Sequence, residues 1–310
     1  MVSRRNIRVK VMQTLYSLEA MNNETKPGEA INILKKNVEQ SKQLFTYLIY
    51  FITEIGHYAE VDSLQKSSKH LPDYGDLNIN TKIAANEIIS MTVQNKSFKK
   101  ALSDYNLIHL IDSEVVKKIY NSLKSSPQYQ SYITFSPEEK KAEKKILEFI
   151  FSDLMLPNED FINHIEENFI NWDDDGDMMV VLVAGFFQKP GTFNFDEILT
   201  AEKWEFAQDL LTCVVDKKEY CLELIKPKLK NWDAERIAAL DMILMKMGLC
   251  EFLYFETIPP KVTINEYIDL AKDYSTPQSG NFVNGILDNI HKELLAENKI
   301  QKKSFKNSTL

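Results

Sequence analysis

Between Gly28 and Leu64 the apolar residues Ile31, Leu34, Val38, Leu44, Leu48, Phe51 and Ile55 recur at helical spacing, with no proline to interrupt them. Only a helix places such residues on one stripe, so this stretch constrains the chain toward helix packed on helix. The stretch is long for one helix; Gly56 and the polar run Lys66–His70 are where it is expected to shorten, and the turn cluster Leu71-Pro72-Asp73-Tyr74-Gly75-Asp76 ends it. The rest of the 310 residues agrees. Nine glycines and ten prolines are too few for the tight turns of a sandwich or barrel.

Further helical patterns are expected at roughly 80–103, 112–124, 137–155, 158–171, 177–188, 201–230 with Lys226-Pro227 as its point of interruption, 233–254, 262–274 and 280–298. Ser136-Pro137-Glu138-Glu139 reads as a capped opening of one of them. The first segment is a helix with Ser3 as its N-cap and Ile7, Val11, Leu15 and Leu18 along its core stripe. The fold class is therefore all-α. The apolar runs Leu44–Ile52 and Met178–Phe187 are about half the length of a membrane span, so no membrane partner is expected. The basic start leads into amphipathic sequence rather than a continuous apolar run, which argues against a signal peptide and for a cytoplasmic protein.

Net charge is −8, but it is unevenly spread. Arg4, Arg5, Arg8 and Lys10 face only Glu19 in the first twenty residues, and five lysines face two acids in the last twenty, so each end carries +3 and the middle −14. Basic ends on an acidic body suit one local polyanion contact and an acidic surface for a basic partner. Arg4 and Arg8 share a helix face, flanked by Arg5 and Lys10. On composition alone this is either a solvated helix end or an RNA surface.

Catalytic chemistry finds no foothold. No G-x-S-x-G, G-x-x-x-x-G-K or G-x-G-x-x-G pattern occurs, the five histidines are scattered, and three cysteines (Cys213, Cys221, Cys250) without C-x-x-C spacing support neither disulfides nor zinc. Asn171, Asp173, Asp175, Gly176 and Asp177 match the first half of a calcium loop, but Leu182 stands where the bidentate glutamate belongs, so a solvated acidic turn is expected there. No cofactor, metal or catalytic residue is assigned, and the chain is not expected to be an enzyme.

Two stretches carry a family resemblance. Arg4-Arg5-Asn6-Ile7-Arg8 followed by Gln13-Thr14-Leu15-Tyr16 resembles the arginine-rich helix of the NusB antitermination family. Ile258-Pro259-Pro260-Lys261-Val262-Thr263-Ile264-Asn265-Glu266, Asp269-Leu270-Ala271-Lys272 and Phe282-Val283-Asn284-Gly285-Ile286-Leu287-Asp288 resemble that family's three linked carboxyl-terminal signatures in order and spacing. The resemblance covers about residues 1–20 and 203–294. It implies two NusB-like helical bundles, the first assembled from 1–20 and 203–230 and the second from 231–296, with an inserted helical region over 21–202 and a flexible basic tail over 297–310. Loop-closure entropy grows only logarithmically, so a long insertion between adjacent ends is tolerable.

The resemblance further implies a non-enzymatic factor that binds boxA-type RNA of ribosomal operons together with the ribosomal protein NusE, within the transcription elongation complex. Carried over, Arg4, Arg5, Arg8 and Lys10 would meet RNA, Phe282 would stack on a base, and Asn284, before the permissive Gly285, would reach the RNA. Phe282 reads equally as core, and Asn284-Gly285 as helix packing. Asp241 corresponds to a family acid that meets NusE. Tyr16 is a second candidate for that surface, or else a half-buried tyrosine with a wet hydroxyl. The family usually carries cations where Asn6 and Asn281 stand here, so two expected charges are missing. The competing reading is a protein-interaction scaffold using 21–202, with a residual RNA site; a methyltransferase is excluded by the lack of a glycine-rich methyl-donor loop.

Overall fold

A computed structural model describes residues 2–21, 28–134, 140–229 and 237–303, and among them every regular element is helical. The chain forms two compact units, one of residues 1–2 and 38–198, the other of residues 3–37 and 199–310, so the division falls inside α2 (Glu29–Ser67).

In the unit of 38–198, α2 supplies the central stripe. Leu44, Phe45, Tyr47, Leu48, Phe51, Ile52 and Ile55 are all buried. The helix does not shorten at Gly56, where it passes close to α4 (Glu87–Gln94): a Cβ there would run into Cδ1 of Ile89, which would have to move aside. The second half of the expected turn cluster is instead a short helix, α3 (Tyr74–Leu77), with Asp73 and Asp76 forming a reciprocal cap. The pattern expected over 80–103 is cut in two by asparagine. Asn86 caps α4 and Asn95 caps α5 (Lys96–Asp104), each side chain accepting two backbone N–H bonds.

Next come α6 (Ser113–Lys124), α7 (Pro127–Thr134) and α8 (Lys140–Phe149), which continues as a wider π turn over Ile150–Met155. The cap expected at Ser136-Pro137 lies outside the described residues. After α9 (Glu159–Asn168), α10 (Trp172–Gln188) begins earlier than its apolar pattern. The aspartates expected in a solvated turn are instead its first turn, where they meet the helix dipole. Asp175 is buried and accepts from Ser41 Oγ and Asn171 Nδ2, both at 2.7 Å. Phe45, Phe98, Phe186, Phe193 and Phe195 close this core with ring centroids about 5–6 Å apart.

In the other unit, α1 (Arg4–Ala20) packs with α11 (Ala201–Asp216) and α13 (Ala239–Tyr254), while α13, α14 (Pro260–Tyr274) and α15 (Ser279–Ala296) pack on one another. Ser3 caps α1 by accepting the Asn6 N–H at 3.2 Å. The run expected over 201–230 breaks at Lys217, ahead of α12 (Lys218–Ile225). Helix α13 is the central one: Ile243 to Phe252 are buried without exception, the charged Lys246 and Glu251 among them. Gly248 lets its neighbours approach, since a Cβ there would stand 3.0 Å from both Leu287 methyls and 3.3 Å from the Tyr267 ring. Cys221 and Cys250 touch at 3.9 Å as free thiols. Residues 233–236, expected to open α13, lie outside the described residues.

The polar end is not wholly loose. Lys302 Nζ donates to the Glu251 and Phe255 carbonyls at 2.7 and 2.8 Å, and the Lys303 N–H donates to the Glu256 carbonyl. Lys302 thus adds a second donor to carbonyls at the end of α13 that already accept the Phe255 and Ile258 N–H groups. Among the described residues no helix is long and apolar enough to cross a membrane.

Candidate nucleic-acid interface

The arginines of α1 meet three different fates. Arg8 turns inward and is 2% exposed. Its Nε and Nη2 donate to the two oxygens of Glu251 on α13 at 2.7 and 3.1 Å, and its Nη1 to Glu266 on α14 at 3.2 Å. Thr263 Oγ1 and Tyr267 Oη complete the shell of the Glu251 carboxylate at 3.0 and 2.9 Å. Burial by itself would lower the Arg8 pKa; the hydrogen bond and charge of Glu251 reverse this and hold it above its usual value. Burial beside the same carboxylate drives the Tyr267 hydroxyl well above its own.

Arg4 and Arg5 turn outward. Arg4 Nη2 meets Glu202 of α11 at 3.0 Å while its guanidinium lies 5.5 Å from the Phe206 ring. Arg5 Nη2 donates to Asp273 at the end of α14 at 2.6 Å, with Asp269 at 4.0 Å. Lys10 is 5% exposed, so it stands inside the fold rather than on the cationic surface expected of it.

The face continues onto α15. Phe282 is half-buried and Asn284 and Gly285 are exposed, with nothing within 4 Å of a Cβ built on Gly285. Lys272, quoted in the sequence only as part of a signature, joins them. A Cβ on Gly280 would lie 2.8 Å from Lys272 Cγ, so the lysine stem runs across Gly280, one residue before Asn281. Its ammonium is exposed, 3.7 Å from Asp269. A cation from α14 thereby stands beside the position where the sequence lacks one. The Arg8 site left no comparable signal in the sequence, because the helix that carries Glu251 also carries Asp241 and Lys246, and nothing local says which cation Glu251 meets.

Asp241, at the start of α13, is 5% exposed. Ser279 Oγ donates to its Oδ2 at 2.8 Å, and its Oδ1 has no hydrogen-bond partner among the described residues. Tyr16, on α1, is 49% exposed. Among the described residues no group of three His, Cys, Asp or Glu side chains is placed to hold a metal ion.

Residues 186–292 match the NusB family. The transcription antitermination protein NusB of Desulfatibacillum aliphaticivorans is 39% identical over 99 residues, which cover 32% of this chain and 69% of that protein. The chain belongs to the NusB family. Its NusB relatives in Salinibacter ruber (42% over 98 residues) and Methylacidiphilum infernorum (43% over 89) agree, and the match spans 32% and 29% of this chain. The chain spans about three fifths of the length of these two NusB proteins, 61% and 62%. No solved structure matches it. The NusB match begins at residue 186, so α1 and its arginines lie outside it and join the NusB region through packing on α11 and α13.

Proposed function

We propose that this chain is a transcription antitermination factor of the cytoplasm that acts by binding, holding boxA-type RNA on the face built by the start of α1, the end of α14 and the start of α15. The observation that carries the reading is the meeting of Arg5 and Lys272 around Asp269, at 4.0 and 3.7 Å, with the Lys272 stem laid over Gly280 at the start of α15, ahead of half-buried Phe282 and exposed Asn284, in a chain of the NusB family. Guanidinium forks suit phosphate oxygens, and a half-buried aromatic suits an unstacked base. Arg8, whose donors are taken by two carboxylates, supports the site by holding α1 against α13 and α14. NusE is the proposed protein partner, at Asp241 and Tyr16; Tyr16 is exposed on α1, and an acid such as Asp241 suits a basic partner. The assembly acts within the transcription elongation complex, and residues 21–202 are proposed as an insertion between NusB helices.

Fluorescence anisotropy of a labelled boxA RNA, with and without NusE at two salt concentrations, tests this. The protein should bind, NusE should strengthen binding, and Arg4→Ala/Arg5→Ala should weaken it and flatten the salt dependence by up to about two units of slope. Binding indifferent to that variant would favour the scaffold reading. The latter is supported by the exposed apolar Leu64, Leu71, Tyr74 and Leu77 of the 38–198 unit.

A further inference from the structure

We propose that Glu202 and Asp273 are built-in competitors of RNA phosphate, which occupy Arg4 and Arg5 until RNA displaces them and so set the affinity of the site. The inference rests on the RNA-binding reading above. Each outward arginine is held by a carboxylate from a distant part of the chain: Arg4 by Glu202 of α11 at 3.0 Å, and Arg5 by Asp273 of α14 at 2.6 Å. Carboxylate and phosphate offer a guanidinium the same kind of oxygen acceptor, so one edge of the fork serves one or the other.

These pairs differ from that of Arg8 in the property that decides whether they can open. Glu251 is fully buried and Arg8 nearly so, and separating them would strand a charge out of water. The side chains of Glu202 and Asp273 are 78% and 54% exposed, and those of Arg4 and Arg5 are 44% and 36% exposed. An exposed pair is weak and its carboxylate is readily rehydrated, so a phosphate can take its place. The released carboxylate stays on its helix, within a Debye length of about 8 Å of the incoming strand, where it repels it. Binding is therefore an exchange of anions in which the protein's own acids oppose the gain. Lys272 stands on the same face, next to Asp269, and adds attraction.

The test is an anisotropy titration of labelled boxA RNA with the full chain and the variants Glu202→Gln and Asp273→Asn. Asp160→Asn serves as a control; it changes net charge equally but breaks an exposed pair with Lys118 in the other unit. Each of the first two should tighten binding by about two- to fivefold, and the control should not. The gain from Asp273→Asn should shrink in an Arg5→Gln background, and that from Glu202→Gln in an Arg4→Gln background, to what loss of the acid's own repulsion leaves, since competition acts through those arginines. Affinities unchanged by Glu202→Gln and Asp273→Asn, or raised as much by Asp160→Asn, overturn the proposal while leaving RNA binding intact. Absence of RNA binding in every variant overturns the underlying reading, and this proposal with it.

Discussion

Arg8 and Glu251 meet side-on in the core, Nε to Oε1 at 2.7 Å and Nη2 to Oε2 at 3.1 Å, and join residues 243 positions apart. The pair ties the first helix of the chain to the central helix of the NusB region. Arg8→Met would leave the Glu251 carboxylate buried with only Thr263 and Tyr267 to serve it. A loss of about 3–5 kcal/mol in unfolding free energy is expected from urea denaturation, against less than about 1 kcal/mol for Arg4→Met, whose pair is exposed. Equal losses from both would refute the buried role of Arg8.

Two glycines should respond in opposite directions to the same methyl group. Gly248→Ala forces Cβ against Leu287 and Tyr267 and should cost about 1–3 kcal/mol. Gly285→Ala meets nothing within 4 Å and gains helix propensity, so it should stabilise by up to about 1 kcal/mol. Thermal melts of the two variants check this. Weakened RNA binding by a stabilised Gly285→Ala would mark close approach of RNA to that turn.

Acid sensitivity should concentrate at Asp62. Its nearly buried carboxylate lies between Lys66 and Lys124, at 2.8 and 3.0 Å. Burial would raise its pKa, but hydrogen bonds from the two lysines outweigh this and leave it below the usual carboxylate value. A carboxylate with a depressed folded-state pKa contributes stability that is present above its unfolded pKa of about 3.9 and is lost as pH falls through the folded value. Asp62→Asn should therefore cost about 1–3 kcal/mol at pH 7 and progressively less below about pH 4. Urea midpoints of wild type and variant should converge in acid; a constant gap would contradict the assignment.

Lys302 should matter more than a tail lysine ordinarily does. Lys302→Ala removes both bonds to the Glu251 and Phe255 carbonyls, and a loss of about 1–2 kcal/mol is expected. Lys299→Ala, whose pair with Glu297 is exposed, is the comparison and should lie within about 0.5 kcal/mol of wild type. Hydrogen exchange at the last turn of α13 should accelerate only in the first variant.

The all-α class was legible because it depends on local spacing. Ile7, Val11, Leu15 and Leu18 mark the buried stripe of α1, Ser3 caps it, and the apolar period of 262–274 places α14 within two residues. The NusB signatures were legible for the same reason, being contiguous strings. The cationic face was only partly so. Helical spacing puts Arg4 and Arg8 on neighbouring turns, but it does not reveal which turn lies against α13, and that decides between a solvated and a buried guanidinium.

By itself, then, the sequence determined the helices, their family and the residue types at the amino end, since periodicity, capping and motif are properties of neighbouring residues. The tertiary structure decided what each charge does. It carried α2 unbroken through Gly56 with Ile89 close against it, buried Arg8 against Glu251, laid Lys272 over Gly280 and set Asp273 upon Arg5. The physical reason is that burial and charge pairing arise between residues up to 268 positions apart, and an ionic group's strength depends on the water it keeps, which no local pattern records.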